Sequence, residues 1–146
     1  MVVNQYRRRV EWGDCDPARI VFYPRYFAWF DEATWRLFES VGLTPEVLRA
    51  QYAFAGFPIG EAKSKFTAPS RFFDEIVIES HVALWRDKSF DIVHRVTNGG
   101  TLVADGMETR IWCEAHPDDP TRLKARPVPR GIVDKLGAGK PGGTAG

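Results

Sequence analysis

The segment from Pro24 to Val41 most constrains the fold, because it combines helical signals with apolar residues around most of its circumference. Pro24 suits the first turn of a helix, where its missing N–H removes no hydrogen bond, and Gly42 suits the left-handed residue after the last turn. The apolar residues between them are Tyr26, Phe27, Trp29, Phe30, Ala33, Trp35, Leu37 and Phe38. A helix of this kind must be buried on several sides, so the rest of the chain has to surround it.

The remaining segments alternate apolar and polar residues, which predicts half-buried strands. A first strand precedes the helix, with Tyr6, Val10 and Trp12 on its buried face, and a short second helix opens at Thr44 as N-cap and Pro45. The strands after Phe57 begin with a face of mostly small residues, against which we expect the long helix to sit: Gly60, Ala62, Ser64, Phe66 and Ala68. Later strands are expected over 76–84, 90–96 and 103–113, with an edge strand over 123–128.

This order predicts an α+β fold in which an antiparallel sheet wraps around one long central helix. Asn98-Gly99-Gly100 is a strong hairpin signal within the strands. We expect one domain over residues 1–136, followed by a flexible, Gly-rich tail over 137–146.

Composition excludes several classes of function. The net charge of +1 over 146 residues gives no general attraction to nucleic acid or to a membrane. The two cysteines, Cys15 and Cys113, form no disulfide or metal-binding pattern, and Cys15 is expected to be a small packing residue. No signal-peptide run or bilayer-length apolar stretch is present, so we expect a cytoplasmic protein with no membrane partner.

The loop before the long helix carries the clearest chemical signal. Asp16 lies between the first strand and the helix N-terminus, where unpaired backbone N–H groups create a partial positive charge. A reactive carboxylate beside such donors suits attack on a carbonyl whose oxygen becomes negative, which indicates acyl-group chemistry. The alternative is that Asp16 caps its own turn, as Asp commonly does before Pro. Asp14 is the better candidate for loop capping.

The same loop resembles that of the hotdog-fold acyl-CoA thioesterases of the 4-hydroxybenzoyl-CoA thioesterase type. The similar residues are Glu11-Trp12-Gly13-Asp14-Cys15-Asp16-Pro17-Ala18, then Ile20-Val21-Phe22-Tyr23-Pro24 and Tyr26, with a less specific match at Trp85-Arg86-Asp87-Lys88-Ser89-Phe90. The resemblance implies the hotdog fold over nearly all of the chain except the tail. Arg19 departs from it, since the family usually has Gly there; either the loop path differs or a guanidinium reaches the mouth of the site.

The resemblance implies that Asp16 is catalytic, as nucleophile on the thioester or as base toward water, and the sequence leaves both roles open. It also implies that the backbone N–H of Tyr23, helped by the helix dipole, polarises the thioester carbonyl. The alternative for Tyr23 is a hydrophobic contact with Phe27, and both can hold together.

Asp31 is a carboxylate on an aromatic helix with no cation at helical spacing, whereas Glu32 is expected to pair with Arg36. Asp31 therefore needs a partner elsewhere or a ligand. The resemblance favours a hydrogen bond from the phenol of a hydroxybenzoyl group, and the alternative is a salt bridge to a distant arginine or to another subunit.

The resemblance also suggests that CoA phosphates bind at a strand turn through Arg86, Lys88 and Ser89, joined by Lys124 from the last strand. A solvated hairpin turn is the alternative. His94 lies on an apolar strand face, where a hydrogen-bonded core histidine is expected rather than a ligand.

Together these features predict an acyl-CoA thioesterase that acts on a small aryl-CoA, with 4-hydroxybenzoyl-CoA as the leading candidate. Hydrolysis needs only water, so no metal or organic cofactor is expected. The family pairs subunits, which predicts a homodimer or a homotetramer built from dimers. The alternatives are a thioesterase for short aliphatic acyl-CoA and a hotdog protein that binds acyl-CoA without cleaving it; dehydration ranks last, because the helix-entry loop has no histidine.

Overall fold

The computed structural model describes residues 1–137, so the tail predicted from 137 onward lies outside the described residues, apart from Gly137. A short 3-10 turn covers Trp12–Asp14. In chain order the other elements are β1 (Asn4–Arg9), α1 (Pro24–Glu39), α2 (Pro45–Tyr52), β2 (Phe54–Gly56), β3 (Ile59–Phe66), β4 (Glu75–Trp85), β5 (Ser89–Asn98), β6 (Thr101–Ile111), β7 (Cys113–His116), β8 (Asp119–Ala125) and α3 (Arg130–Leu136).

The strands form two antiparallel sheets. The larger sheet has the order β1-β4-β5-β6-β3, and the smaller has the order β2-β7-β8. Gly99 and Gly100 both have positive φ and connect β5 to β6 through the predicted hairpin, whose two-residue loop suits the twist of the paired strands. The α+β prediction is confirmed.

The long helix α1 is buried against the inner face of the larger sheet. Around its first half, Tyr26, Trp29, Phe30 and Ala33 belong to a core cluster with residues of β4, β5 and β6. Around its second half, Leu37 and Phe38 belong to a second cluster that also draws on α2, α3 and Trp112. These two clusters confirm that the helix is covered on several sides, as its aromatic circumference predicts.

The closest approach of helix and sheet differs from the prediction. We expected α1 to sit on the small residues of β3, but α1 contacts β4, β1 and β5, and Ala62 of β3 is exposed. The small residue beneath the helix is Gly106 of β6, which lies under the ring of Phe30. On the predicted face of β3, Gly60 and Ala62 are exposed, whereas Phe66 packs against the rings of Tyr26 and Phe27.

Other differences are local. β1 ends at Arg9, and Trp12 lies in the 3-10 turn with its ring 63% exposed, so its prediction as a buried strand residue is wrong. The helix α3 and the strand β2 were not predicted from the sequence. Thr44 caps α2 as predicted, since its hydroxyl accepts a hydrogen bond from the N–H of Val47.

Gly106→Ala should destabilise the protein by about 2 kcal/mol, because the new Cβ would overlap the Phe30 ring in a packed core. Urea unfolding followed by circular dichroism measures this change. Gly13→Ala is the matched control, since a Cβ at Gly13 meets nothing within 4 Å. Equal unfolding midpoints for the two variants would contradict the packing described for α1.

Candidate active site

The loop before α1 is held by backbone pairing between three chain segments. The N–H of Asp16 donates to the carbonyl of Ile20 at 2.9 Å, and the N–H of Val21 donates to that of Ser70 at 2.9 Å. Antiparallel bridges join Cys15 to Val21 and Ile20 to Arg71. The loop is therefore a small extension of regular structure, which fixes the position of its side chains.

Asp14 is the buried carboxylate of this loop. Its Oδ2 accepts a hydrogen bond from the N–H of Glu11 at 2.8 Å, and its Oδ1 lies 3.9 Å from Arg25 Nε and 4.0 Å from Arg8 Nη2. The capping role predicted for Asp14 is confirmed by these contacts.

Asp16 is half-buried and uses one oxygen to hold the loop. Its Oδ1 accepts a hydrogen bond from the N–H of Ala18 at 2.8 Å, as the turn-capping interpretation predicts. Within residues 1–137 its Oδ2 has no hydrogen-bond partner. One carboxylate can thus cap the turn and still present an oxygen to a ligand.

Tyr23 directly precedes α1, and its carbonyl accepts the N–H of Tyr26 at the start of the helix. In the described part of the chain, the backbone N–H of Tyr23 donates no hydrogen bond to the protein, and Pro24 has no N–H. The Tyr23 ring is 60% exposed and lies 6.3 Å from the ring of Phe66. The Phe27 ring packs against the same Phe66 ring, so Phe66 links Tyr23 and Phe27, which were expected to contact each other directly.

A cavity of about 510 Å³ opens beside this helix start. It is lined by Ile20, Val21, Tyr23, Tyr26, Phe66, Thr67, Ala68 and Pro69. The walls are mostly apolar, and Tyr23 belongs to them, so the cavity suits an apolar group with a polar atom at the helix N-terminus.

Asp31 lies on the same face of the helix as Tyr23 and Phe27, because Phe27 follows Tyr23 by four residues and Asp31 follows Phe27 by four. A helix rises 1.5 Å per residue, so Asp31 is roughly 12 Å from Tyr23 along the helix axis. Arg110 Nη2 binds Asp31 Oδ1 at 2.7 Å, which confirms the salt bridge to a distant arginine. The Asp31 side chain is nevertheless 54% exposed, so it remains accessible from the surface.

Glu32 does not pair with Arg36 as predicted. Its Oε2 accepts hydrogen bonds from the Tyr6 hydroxyl at 2.7 Å and from Arg8 at 3.1 Å, whereas Arg36 pairs with Glu39. The strand β1 supplies these partners, which helical spacing alone does not reveal.

Sequence reasoning missed a buried pair of charges on β6, Glu108 and Arg110. His94, predicted to be a hydrogen-bonded core residue, is fully buried; its Nε2 lies 2.7 Å from Glu108 Oε1, and its ring stacks on Phe30. Burial alone would raise the pKa of Glu108, but the hydrogen bond from His94 and the charge of Arg110 hold it below its ordinary value. The sequence did contain a signal for this pair. Glu108 and Arg110 have opposite charges and lie two and four residues after Gly106, so on a strand they share its core-facing side.

The residues suggested for CoA share one end of the fold. Arg86, Lys88 and Ser89 lie at the β4–β5 turn, and the carbonyl of Lys88 accepts the N–H of Trp112, next to β7. Lys124 is on β8, the neighbour of β7. Arg86 makes a bidentate pair with Asp91 at 2.8 Å, which lowers the pKa of Asp91, so this guanidinium is partly neutralised.

Other groups give no sign of a different chemistry. Burial and the nearby charges of Asp14 and Asp16 raise the pKa of the Cys15 thiol, which fits a packing role. Within residues 1–137 no cluster of three or more metal-ligating side chains is found. In the same residues no helix has the length and apolar character needed to cross a membrane.

Comparison with known proteins was decisive for the family. The sequence model of the thioesterase-like superfamily matches residues 10–136. This chain belongs to that superfamily. It is 34% identical to 4-hydroxybenzoyl-CoA thioesterase of Pseudomonas sp. strain CBS-3 over 88% of this chain and 93% of the relative. It is 23% identical to acyl-CoA thioester hydrolase YbgC of Escherichia coli O157:H7, over 86% and 89% respectively.

Solved structures agree. The Pseudomonas 4-hydroxybenzoyl-CoA thioesterase superposes with a TM-score of 0.83 at 32% identity, covering 91% of this chain and 98% of that one. A gentisyl-coenzyme A thioesterase superposes with a TM-score of 0.76 at 34% identity, over 91% and 98%. The hotdog fold and the family predicted from the motifs are therefore confirmed, and the protein is by homology an acyl-CoA thioester hydrolase.

Arg19 occupies a left-handed conformation, with φ of +65°. The loop thus follows the path that a glycine favours, and the exposed Arg19 side chain stands beside Ile20, which lines the cavity. The arginine therefore does not require a different course of the backbone.

Arg19→Gly should stabilise the protein by about 1 kcal/mol, because glycine adopts positive φ without a Cβ clash. Thermal unfolding measures the effect. Arg122→Gly on the exposed strand β8 is the control, where glycine should instead destabilise. A loss of stability in both variants would contradict strain at Arg19.

Proposed function

We propose that this thioesterase hydrolyses the CoA ester of a small hydroxylated aryl acid, with 4-hydroxybenzoyl-CoA as the leading candidate. One observation carries the proposal: within residues 1–137 one Asp16 oxygen and the Tyr23 N–H have no hydrogen-bond partner, and both belong to a loop whose residues Ile20, Val21 and Tyr23 line an apolar cavity. The resemblance to a 4-hydroxybenzoyl-CoA thioesterase at 34% identity supports the choice of acyl group.

In the proposed mechanism the thioester carbonyl accepts the hydrogen bond of the Tyr23 N–H. Negative charge that develops on this oxygen is stabilised by that donor and by the positive end of the α1 dipole. Asp16 then acts in one of two ways. It takes a proton from water, which attacks the carbonyl carbon, or it attacks directly to give an acyl anhydride that water opens. In both cases the C–S bond breaks and CoA leaves as a thiolate, which is then protonated.

Asp16→Asn should lower kcat by several orders of magnitude, because an amide is neither a carboxylate nucleophile nor a general base. Its amide oxygen can still accept the Ala18 N–H, so the fold should be retained. Release of CoA thiol, followed with a thiol reagent, measures the change, and circular dichroism checks the fold.

Asp14→Asn is the matched control, since it alters a carboxylate two residues away whose capping bond an amide can also accept. We expect it to keep hydrolysis within about tenfold, the size of one indirect hydrogen-bond effect. Near-wild-type hydrolysis by Asp16→Asn would refute the mechanism. Saturable binding of acyl-CoA without thiol release by the wild-type protein would instead favour a binding protein that does not hydrolyse its ligand.

Asp31 is proposed to recognise the substituent of the aryl ring. The ring would lie in the groove between α1 and β3, with its thioester at Tyr23 and its hydroxyl toward Asp31. Phe27 and Phe66 offer aromatic surface between these two ends, and their rings are 6.3 Å apart. The exposed Asp31 carboxylate would accept the hydrogen bond of a phenol.

Asp31→Ala should lower kcat/KM for 4-hydroxybenzoyl-CoA by roughly 10- to 100-fold, the value of a hydrogen bond to a charged group, and leave benzoyl-CoA nearly unchanged. A panel of 4-hydroxybenzoyl-, benzoyl- and short aliphatic CoA esters measures this selectivity. If aliphatic esters are the best substrates and Asp31→Ala has no effect, the aryl assignment is wrong.

The CoA nucleotide is proposed to bind at the β4–β5 turn, through Arg86, Lys88, Ser89 and Lys124. Their place at one end of the fold supports this, because phosphates bind to exposed cations and hydroxyl donors. The pairing of Arg86 with Asp91 makes Lys88 and Lys124 the stronger candidates for direct phosphate contact.

We also propose a homodimer, or a homotetramer built from dimers. The edge strand β3 supports this assembly, because it pairs only with β6 in the described chain and leaves one row of backbone groups unpaired. Ile59 and Phe66, near the ends of β3, are exposed apolar residues. A second copy at this edge would cover them and one side of the substrate groove.

A further inference from the structure

Behind Asp31 a continuous chain of polar side chains runs from the surface into the core. Arg110 Nη2 binds both Asp31 Oδ1 at 2.7 Å and Glu108 Oε2 at 2.8 Å. Glu108 Oε1 lies 2.7 Å from His94 Nε2, and His94 Nδ1 lies 2.7 Å from the Ser80 hydroxyl. All of these side chains except Asp31 are buried.

The chemistry of the groups fixes the direction of these bonds. A carboxylate only accepts, so His94 donates its Nε2–H to Glu108, and in neutral His94 the Nδ1 then accepts from Ser80. Thr34 of α1 donates its hydroxyl to the same Glu108 oxygen at 2.7 Å. Glu108 is therefore held in one position by the helix and by two strands.

One guanidinium nitrogen is shared between a buried and a solvent-exposed carboxylate. Arg110 is also fixed from the other side, since its Nη1 donates to the carbonyl of Phe57 at 3.3 Å. Arg110 Nη2 is in direct contact with both carboxylates, so the charge of Glu108 offsets part of the Arg110 charge and leaves Asp31 with charge available for a ligand. Without the Glu108 charge, Arg110 would neutralise Asp31 more completely and weaken it as an acceptor.

We propose that Glu108 and Arg110, held by His94, are positioning residues that set the acyl-group selectivity of this enzyme through Asp31. The inference rests on the proposed contact between Asp31 and the aryl hydroxyl. None of the three residues touches the reacting thioester in this scheme, so they act on substrate choice rather than on the chemical step.

The test measures the selectivity ratio, which is kcat/KM for 4-hydroxybenzoyl-CoA divided by that for benzoyl-CoA. Glu108→Gln keeps the shape and an acceptor oxygen but removes the charge that competes for Arg110. We expect the ratio to fall by about tenfold, through a higher KM for the hydroxylated ester, while hydrolysis of benzoyl-CoA changes little. Arg110→Lys keeps a charge but cannot bridge two carboxylates in the same geometry, so Asp31 loses the contact that fixes its orientation and the ratio should fall as well.

Glu32→Gln is the matched control, since it removes a paired carboxylate from the adjacent position of α1, where the partners are Tyr6 and Arg8. It should lower stability without changing the ratio. Thr34→Val, which removes one donor to Glu108, covers the case in which Glu108→Gln does not fold, and should lower the ratio by a smaller factor.

The outcomes separate the two proposals. If wild-type protein shows no preference for the hydroxylated ester, or Asp31→Ala leaves the ratio unchanged, the proposed function fails at the level of the acyl group. If Asp31→Ala lowers the ratio but Glu108→Gln, Arg110→Lys and Thr34→Val do not, the role of the buried chain is refuted. Equal falls in the ratio for Glu32→Gln and Glu108→Gln would also overturn it, since they would reflect general destabilisation.

Discussion

The packing of Phe30 against β5 and β6 is the contact on which the rest of the structure depends. Gly106 leaves room for the ring, and His94 stacks against it with centroids 4.8 Å apart and planes 3° from parallel. This contact sets the height of α1 above the sheet and therefore the position of both helix ends. Since Tyr23 and Asp31 are carried on the same rigid helix, their separation is fixed by its geometry.

The core beneath the helix combines apolar packing with buried charge. Two buried ionic groups on β6 are expensive to desolvate, and such a pair is rarely a net source of stability. Here Glu108 Oε1 accepts from Thr34 of α1 and His94 of β5, and Oε2 accepts from Arg110 of β6, so hydrogen bonds to both carboxylate oxygens offset part of this cost. Within residues 1–137, Arg110 Nε is buried without a hydrogen-bond partner. The arrangement makes the helix, β5 and β6 interdependent next to Asp31.

Much of the fold could be predicted from the sequence, because short stretches of residues specify several of its elements on their own. The aromatic circumference of α1, the Thr44 cap and the Asn98–Gly100 hairpin each specify their element without long-range help. The site loop was also recognisable, since Asp16 and Tyr23 lie within a few residues of one helix start. Asp31 was identified as a carboxylate in need of a partner, but its arginine is 79 residues away on another element.

What could not be predicted depends on tertiary partners. Glu108 and Arg110 are charged residues in a core-facing register, and a hydrophobic pattern assigns such residues to the surface. Trp12 looks like a core residue by alternation, yet the 3-10 turn rotates it to the exterior, where it meets Phe72 with centroids 5.5 Å apart. In both cases the alternation of apolar and polar residues gave the wrong side of the chain, because tertiary contacts determine which side is buried.

Backbone strain is concentrated around the active-site loop. Arg19, next to Ile20, and Phe73, two residues after Arg71, both have positive φ, and they flank the bridge between Ile20 and Arg71. Such conformations cost of order 1–3 kcal/mol each and persist only where the surroundings hold them. The backbone of Phe73 is held by a hydrogen bond from its N–H to Val10 and its ring by the Arg9 guanidinium at 4.0 Å. The same bridge holds Ile20, whose carbonyl accepts the backbone N–H of Asp16. The two strained positions therefore lie next to the backbone segment that holds Asp16, the carboxylate proposed to be catalytic.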